Sequence, residues 1–259
     1  MTAAVTTPGL ERQAERAESR RGFLLGLPSI IYLLVFFVIP LGVVIAYSFA
    51  TRTRTRRTEL NNWNLEAYRR LSEEVVRAVA FRSLWFAILT TVICLALAYP
   101  LAYFISTRRP TTRNLMLVGI MIPFWSNFLI RTYAWRLLLD SDGLFTQMAS
   151  GMGLGDGRIL FTSKAVILGL VYGYLPFMVL PLYASIERID WSLVEGARDL
   201  YASGWESFRR VVWPLSWPGV IAGSILVFVH PFCAFLTPDI LGGHKKWLMG
   251  SYIVDQVMD

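Results

Sequence analysis

The stretch LWFAILTTVICLALAYPLAYFIS, residues 84–106, contains no charged side chain. It is longer than the about 20 residues that an α-helix needs to cross a hydrocarbon layer about 30 Å thick. Four further stretches are almost as free of charge: 23–50, 115–139, 164–186 and 219–241. One such stretch can be a buried core helix, but a chain of 259 residues cannot enclose five of them. The sequence therefore predicts an all-α membrane protein with five spans.

The composition of the chain supports a membrane location. Hydrophobic residues make up 55% and charged residues 17% of the chain, whereas soluble globular domains carry about 25% charged residues. In a soluble protein the net charge of +7 would suggest a nucleic-acid partner. In a membrane protein, arginines in loops near lipid headgroups account for it. We therefore expect the lipid bilayer, and no nucleic acid, as a partner.

The amino-terminal part of the chain differs in character from the rest. Residues 1–22 are polar and are predicted to form a tail, whereas residues 23–259 form one membrane domain. The apolar run 23–50 far exceeds the about 7–15 residues of a signal-peptide hydrophobic region, so we expect an uncleaved span.

Charge does not decide the orientation of the chain. With the amino terminus in the cytoplasm, the loops on the two sides carry equal numbers of Lys and Arg. Proline removes a helix hydrogen bond that lipid cannot replace. Eight of the twelve prolines lie in or at the ends of the predicted spans: Pro28, Pro40, Pro100, Pro123, Pro176, Pro181, Pro231 and Pro238. Bent helices around a cavity suit a transporter, although proline is also commoner in membrane helices generally.

The most informative segment lies between the fourth and fifth predicted spans. It reads ERIDWSLVEGARDLYASGWESFRRVVWPLSWP, residues 187–218, and we call it the 187–218 loop. Ser192 precedes Glu195 by three positions, and Ser203 precedes Glu206 by three. Both pairs match the capping box, in which a hydroxyl and a carboxylate satisfy free amide groups at a helix start.

Two short helices follow from these signals. The first is predicted over about 192–200, and the second over about 204–213, closed by Pro214. One face of the second helix is apolar and is formed by Trp205, Phe208 and Val212. Such a helix pair fits the groove of another protein, but it could equally rest on the membrane surface.

The segment EGARDLYASGWESFRRVVWPLSWPG resembles the EAA loop of ABC importer permeases, whose pattern is E-A-A-x3-G-x9-I-x-L-P. In that family the loop is cytoplasmic and docks into a cleft on the ATP-binding subunit, so the 187–218 loop would be the coupling loop. The resemblance implies ATPase-coupling roles for Glu195, Gly196, Ala197, Tyr201, Trp205, Phe208, Val211 and Pro214. Glu195 would both cap its helix and present charge to the ATPase.

Two positions depart from the family pattern. Tyr201 stands where the family has glycine, and Trp213 where it has leucine. Glycine there ends the first helix in the left-handed conformation, which costs tyrosine about 1–2 kcal/mol. We therefore expect Tyr201 to distort the turn or to weaken docking.

Further stretches resemble the spermidine/putrescine branch of these permeases, namely 123–139, 173–190 and 235–243. The resemblance implies a cytoplasmic amino terminus in the inner membrane and a chain that forms half of a pore. The implied partners are a second permease subunit, a dimer of ATP-binding subunits and an extracellular or periplasmic substrate-binding protein. Permeases for iron, thiamine or phosphonate share the EAA loop and remain an alternative.

For a polyamine substrate we look for carboxylates and aromatic faces, because both accept ammonium groups. The candidates for the substrate path are Trp125, Tyr133, Trp135, Tyr172, Tyr174 and Asp239. Trp and Tyr also mark membrane interfaces, so each has a structural alternative. Arg131 lies deep in the third predicted span and would repel a polycation, so we expect it in an ion pair or on a headgroup.

The sequence indicates no catalytic residue, no metal and no cofactor. It contains no P-loop and no catalytic triad, so a membrane-embedded enzyme is disfavoured and any ATP is hydrolysed by a separate subunit. His230 and Cys233 are two ligands at most, too few for a metal, and core packing is the expected role. Cys233 replaces a family glycine, so we expect lost backbone freedom at a bend.

The resembled family has six spans, whereas this sequence contains five apolar stretches. The residues after Gly250 are too few to cross a membrane, so we expect the last span to be missing. The alternative function is therefore a truncated, non-transporting permease remnant that still docks the ATPase.

Overall fold

The computed structural model describes residues 26–52, 58–59, 65, 68–69, 71–151, 159–243 and 248–258. The predicted polar tail, 1–22, lies outside the described residues. The chain divides into two units, Met1–Glu73 and Glu74–Asp259.

The described residues of the first unit include a long helix, α1, over Gly26–Ser48. A π-helical turn at Leu34–Val38 precedes Pro40 within it. After the helix, β1 (Thr51–Arg52) pairs antiparallel with β2 (Thr58–Glu59). The predicted first span is thus confirmed as a continuous apolar helix.

The regular elements of the second unit, among its described residues, are all helices. Its helices are α2 (Glu74–Ser106), α3 (Pro110–Trp125), α4 (Phe128–Leu139), α5 (Leu144–Gly151), α6 (Ser163–Glu187), α7 (Trp191–Asp199), α8 (Gly204–Leu215), α9 (Trp217–Phe232), α10 (Leu236–Gly242) and α11 (Met249–Met258). Within the described part of the chain, three helices, α1, α2 and α6, are each long and apolar enough to cross a membrane. The number rises to five if each of two bent helix pairs counts as one span.

The third predicted span, 115–139, is not one straight helix. The chain bends by 88° between α3 and the helical stretch Phe128–Gln147. Ser126 is extended, with ψ 150°, and the side chain of Asn127 accepts the Leu129 N–H at 2.8 Å to start α4. The Asn127 side chain therefore serves as the cap at the start of α4. Because such a cap leaves the apolar pattern unchanged, that pattern alone did not reveal the break.

The fifth predicted span, 219–241, is also divided. It comprises α9, which ends at Phe232, and the separate short helix α10. Cys233 caps α9 with φ −96° and ψ 2°, a conformation open to any residue. The bend at Cys233 therefore does not require the backbone freedom of glycine, whose loss we expected there.

The core of the second unit forms where α2, α6 and α9 pack together. Gly219 and Gly223, one turn apart on α9, face α6 at close range. A side-chain carbon at Gly219 would lie 2.5 Å from Ser185 Cβ and 2.7 Å from Pro181 O. Small residues spaced in this way let membrane helices approach closely.

Candidate functional site

The 187–218 loop forms two helices, as predicted, but their starts differ in detail. α7 begins at Trp191 with Asp190 as its cap, because the Asp190 carboxylate accepts the Ser192 N–H at 3.0 Å. The predicted capping box of Ser192 and Glu195 is therefore wrong. An acceptor two residues earlier serves the helix start instead.

The second predicted capping box is confirmed. At the start of α8, Ser203 Oγ accepts the Glu206 N–H at 3.2 Å. In return, the Ser203 N–H donates to Glu206 Oε2 at 2.9 Å. The bond from the Ser203 amide holds the pKa of Glu206 below its usual value. The bonds from Ser192 likewise lower the pKa of Asp190, so both carboxylates are charged at neutral pH.

Tyr201 occupies the left-handed turn that joins the two helices. Its φ is 62°, and its N–H donates to Arg198 O at 2.9 Å. The Ala202 N–H donates to Ala197 O at 3.1 Å. These two bonds are the Schellman pattern that glycine ordinarily completes. The expected distortion of the turn is therefore absent, although tyrosine bears the cost of a positive φ.

We predict that Tyr201→Gly raises the thermal stability of the permease, because glycine adopts positive φ without the about 1–2 kcal/mol cost to tyrosine. The Tyr201 side chain is 98% exposed, so its removal sacrifices almost no packing. Thermal unfolding in detergent measures the effect. Tyr201→Ala is the matched control, since it removes the ring but keeps the strained backbone. Equal unfolding temperatures for the glycine and alanine variants would contradict the prediction.

We expected Pro214 to close the second helix. Instead, α8 continues through Pro214 to Leu215. A π-helical turn over Phe208–Val212 precedes it, and the Trp213 N–H reaches back to Phe208 O. The wider turn moves the carbonyl groups that a proline ring would otherwise meet. The same arrangement precedes Pro40 in α1.

The inner side of α8 packs on the carboxyl-terminal end of α2. The Phe208 ring meets Tyr99 and Tyr103 edge-on, at 5.6 and 5.9 Å between centroids. Val212 is fully buried. Phe208 and Val212 therefore face the core of the permease, whereas Trp205, on the same predicted apolar face, is largely exposed. Val211 is half-buried beside them.

The outer side of the loop carries large apolar side chains that are left exposed. Leu200 is 83% exposed and Trp205 is 68% exposed, and both flank Tyr201. Glu195, Gly196 and Pro214 are also exposed, whereas Ala197 is half-buried. We call Leu200, Tyr201 and Trp205 the loop tip. Exposed apolar side chains grouped within six residues of the sequence commonly mark an interaction surface.

Hydrogen bonds at Ser216 join the loop to two spans. α8 and α9 meet at this residue with a bend of 62°. Tyr99 Oη of α2 and Ser216 Oγ are 2.8 Å apart, and Ser185 Oγ of α6 donates to Ser216 O at 3.5 Å. Sequence reasoning missed Tyr99 and Ser216, because only the fold brings residues 117 positions apart into contact.

The predicted substrate-path residues fall into separate groups. Trp135 and Tyr172 contact each other at 5.3 Å between ring centroids. Tyr174 instead contacts Phe177 and His230. The remaining three are exposed: Trp125 at the end of α3, Tyr133 on α4 and Asp239 in the first turn of α10. The structure therefore brings only part of the predicted path together.

Arg131 lies among aromatic rings. Its guanidinium carbon is 4.8 Å from the centroid of Phe124 and 5.7 Å from that of Phe128. Its Nε and Nη1 atoms are buried without a hydrogen-bond partner among the described residues. Ring contacts of this kind stabilise a buried cation partly. We had expected an ion pair or a headgroup contact, and the aromatic neighbours were not foreseen.

Within the described part of the chain, no cluster of three or more His, Cys, Asp or Glu side chains could hold a metal ion. His230 lies on the exposed side of α9, and its ring contacts are with aromatic side chains. The expected core-packing role for His230 is therefore wrong.

Residues 95–257 match the family described as "Binding-protein-dependent transport system inner membrane component". The chain is 39% identical over 230 residues to the spermidine/putrescine transport system permease protein PotB of Escherichia coli strain K12, covering 88% of this chain and 83% of that protein. Identity to PotB of Haemophilus influenzae is 40% over 229 residues, covering 88% of this chain and 80% of the relative.

A solved bacterial alginate ABC transporter, in complex with an alginate pentasaccharide-bound periplasmic protein, contains a chain of similar fold. The TM-score is 0.71 at 18% identity, over 95% of this chain and 85% of that one. The PotB relatives are permease subunits, which are transport components and not enzymes. The chain therefore belongs to the family of binding-protein-dependent transport system inner membrane components, as a PotB-type ABC permease of the inner membrane.

Proposed function

We propose that this chain forms half of the translocation pore of an ATP-driven importer of polyamines, spermidine or putrescine. The names of two PotB relatives, at 39% and 40% identity, include spermidine and putrescine. The observation that carries the proposal is the 187–218 loop, whose tip is exposed while Phe208 and Val212 join the core of the spans. A helix pair with one side free and one side anchored can pass movement from a partner to the membrane helices.

The proposed partners are a dimer of ATP-binding subunits, a second permease subunit and an external substrate-binding protein. The loop tip would dock on the ATP-binding subunit, with Glu195 adding negative charge to that surface. This arrangement requires the 187–218 loop and the amino terminus to lie in the cytoplasm. The family description, which names a binding protein, supports the external partner.

The experiment is ATP-dependent uptake into proteoliposomes that contain the complete importer: this chain, a second permease, the ATPase and the binding protein. Labelled spermidine is expected to accumulate with ATP and not with a non-hydrolysable analogue. Labelled thiamine and phosphonate are the comparison solutes. Uptake of one of these alone would assign another solute. Failure to transport any solute, despite assembly with the ATPase, would identify a non-transporting remnant.

Labelling of a single cysteine measures the orientation of the 187–218 loop separately. A single cysteine at Glu195, in a variant with Cys94 and Cys233 replaced by alanine, is expected to react with a membrane-impermeant maleimide only in inside-out vesicles. Reaction in right-side-out cells would place the loop outside and contradict the proposal.

A further inference from the structure

Helices α6 and α9 carry three rings that contact one another, Tyr174, Phe177 and His230, which we call the ring cluster. Phe177 and His230 stack with centroids 5.1 Å apart and planes 17° apart. Tyr174 is 5.3 Å from His230 and 6.3 Å from Phe177. His230 is exposed, whereas Tyr174 and Phe177 are half-buried. The cluster therefore presents one polar ring against two aromatic faces.

The depth of the cluster distinguishes it from an interfacial aromatic belt. His230 lies thirteen residues beyond Trp217, the start of α9, and Tyr174 lies thirteen residues before Glu187, the end of α6. At 1.5 Å per residue, both lie about 20 Å along their helices from the 187–218 loop. With the 187–218 loop at one membrane surface, as proposed above, that distance lies inside a hydrocarbon layer about 30 Å thick.

The hydrogen bond of His230 determines which of its ring nitrogens is free. Nδ1 is 2.6 Å from Leu226 O. A carbonyl oxygen can only accept, so Nδ1 carries a proton, and in the neutral ring Nε2 is an acceptor. Nε2 bonds none of the residues that the structure describes. It is therefore available for a donor that arrives from outside the chain.

We infer that His230 Nε2 and the faces of Tyr174 and Phe177 form a subsite for a primary ammonium group of the transported solute. The ammonium N–H would donate to Nε2, and its charge would face the two aromatic rings. An aliphatic chain would lie along the apolar surface beside them. This inference rests on the proposed polyamine function and assigns that function a contact within the membrane.

The surrounding charge is compatible with a site that must release its solute. Phe124 meets Phe177 edge-on at 5.0 Å, and the Arg131 guanidinium lies over Phe124. The ring of Phe124 separates this positive charge from the cluster. Because like charges repel, the charge opposes strong retention of an ammonium group. Transport requires binding that is favourable enough for entry and weak enough for exit.

The test compares two substitutions of His230 in the complete importer. His230→Phe keeps a stacked ring but has no acceptor, whereas His230→Gln loses the ring but supplies an amide oxygen. We expect His230→Phe to reduce the rate of labelled spermidine uptake by about tenfold, the loss typical of one charge-assisted hydrogen bond. His230→Gln is expected to stay within about threefold of the wild type, since its amide oxygen still accepts a hydrogen bond. Val229→Leu, a change at the exposed neighbouring position of α9, is the matched control.

The outcomes separate this inference from the function on which it rests. If the wild type takes up no spermidine, the proposed polyamine function fails. If the wild type transports spermidine and His230→Phe does so at the same rate, the ammonium subsite is wrong and the proposed function stands. A loss in His230→Gln as large as that in His230→Phe, or larger, would also overturn the subsite, because a restored acceptor would then not restore uptake. Co-purification of each variant with the ATP-binding subunit verifies assembly.

Discussion

Gly219→Ala is expected to push α9 away from α6 and to lower the unfolding temperature of the permease by several degrees. The added carbon would lie 2.7 Å from Pro181 O and 3.1 Å from Leu182 Cα, both backbone atoms that cannot rotate away. Overpacking of this kind costs about 1–3 kcal/mol, because the helices must separate to relieve it. The displacement of α9 would extend to the bend at Ser216, three residues earlier, where the loop joins the spans.

Two other glycines on this chain supply matched controls for thermal unfolding in detergent. At Gly223 the added carbon meets Met178 Sδ at 2.8 Å, part of a flexible side chain that can move, so Gly223→Ala should cost less. At Gly119 of α3 nothing lies within 4 Å, so Gly119→Ala should be neutral or stabilising. An equal effect at all three glycines would contradict the proposed role of the close contact between α6 and α9.

Trp205→Ala is expected to weaken binding of the ATP-binding subunit by about 30-fold, if the loop tip docks as proposed. Trp205 is largely exposed, yet its ring stacks on Phe208 at 5.4 Å, and Phe208 packs against α2. A tryptophan anchored in this way is a typical interface hot spot, and its truncation costs about 2 kcal/mol or more. Coupled transport should fall with the affinity.

The measurement is titration of purified ATP-binding subunit onto the permease pair in nanodiscs. Trp125→Ala is the matched control, because Trp125 is 87% exposed but lies at the end of α3, outside the loop. The control variant should bind the ATP-binding subunit as the wild type does. If Trp205→Ala also binds normally, the loop tip is not the docking surface.

The features that the sequence predicted well depend on neighbours along the chain. The apolar spans follow from hydrophobicity over about 20 residues, and the capping box of Ser203 and Glu206 follows from two side chains three positions apart. The helix pair of the loop follows from the same local signals. The family pattern also predicted where the first helix ends, but Tyr201 was expected to distort a left-handed turn that the structure shows intact.

Errors arose where several local solutions compete. Asp190 displaced Ser192 as the cap of α7, since either side chain can reach a free amide. Pro214 did not end α8, because a π-helical turn accommodated it. The break at Ser126 and Asn127 left the apolar pattern unchanged, so hydrophobicity could not reveal it.

The sequence alone determined that this chain is a helical membrane permease and that residues 187–218 form its paired short helices. Only the tertiary structure decided that Phe208 faces inward, that Tyr99 meets Ser216 and that His230 stacks on Phe177. These contacts join residues far apart in the chain. The packing of α2, α6 and α9 selects them, and a pattern read along one helix contains no information about which neighbour each of its faces will meet.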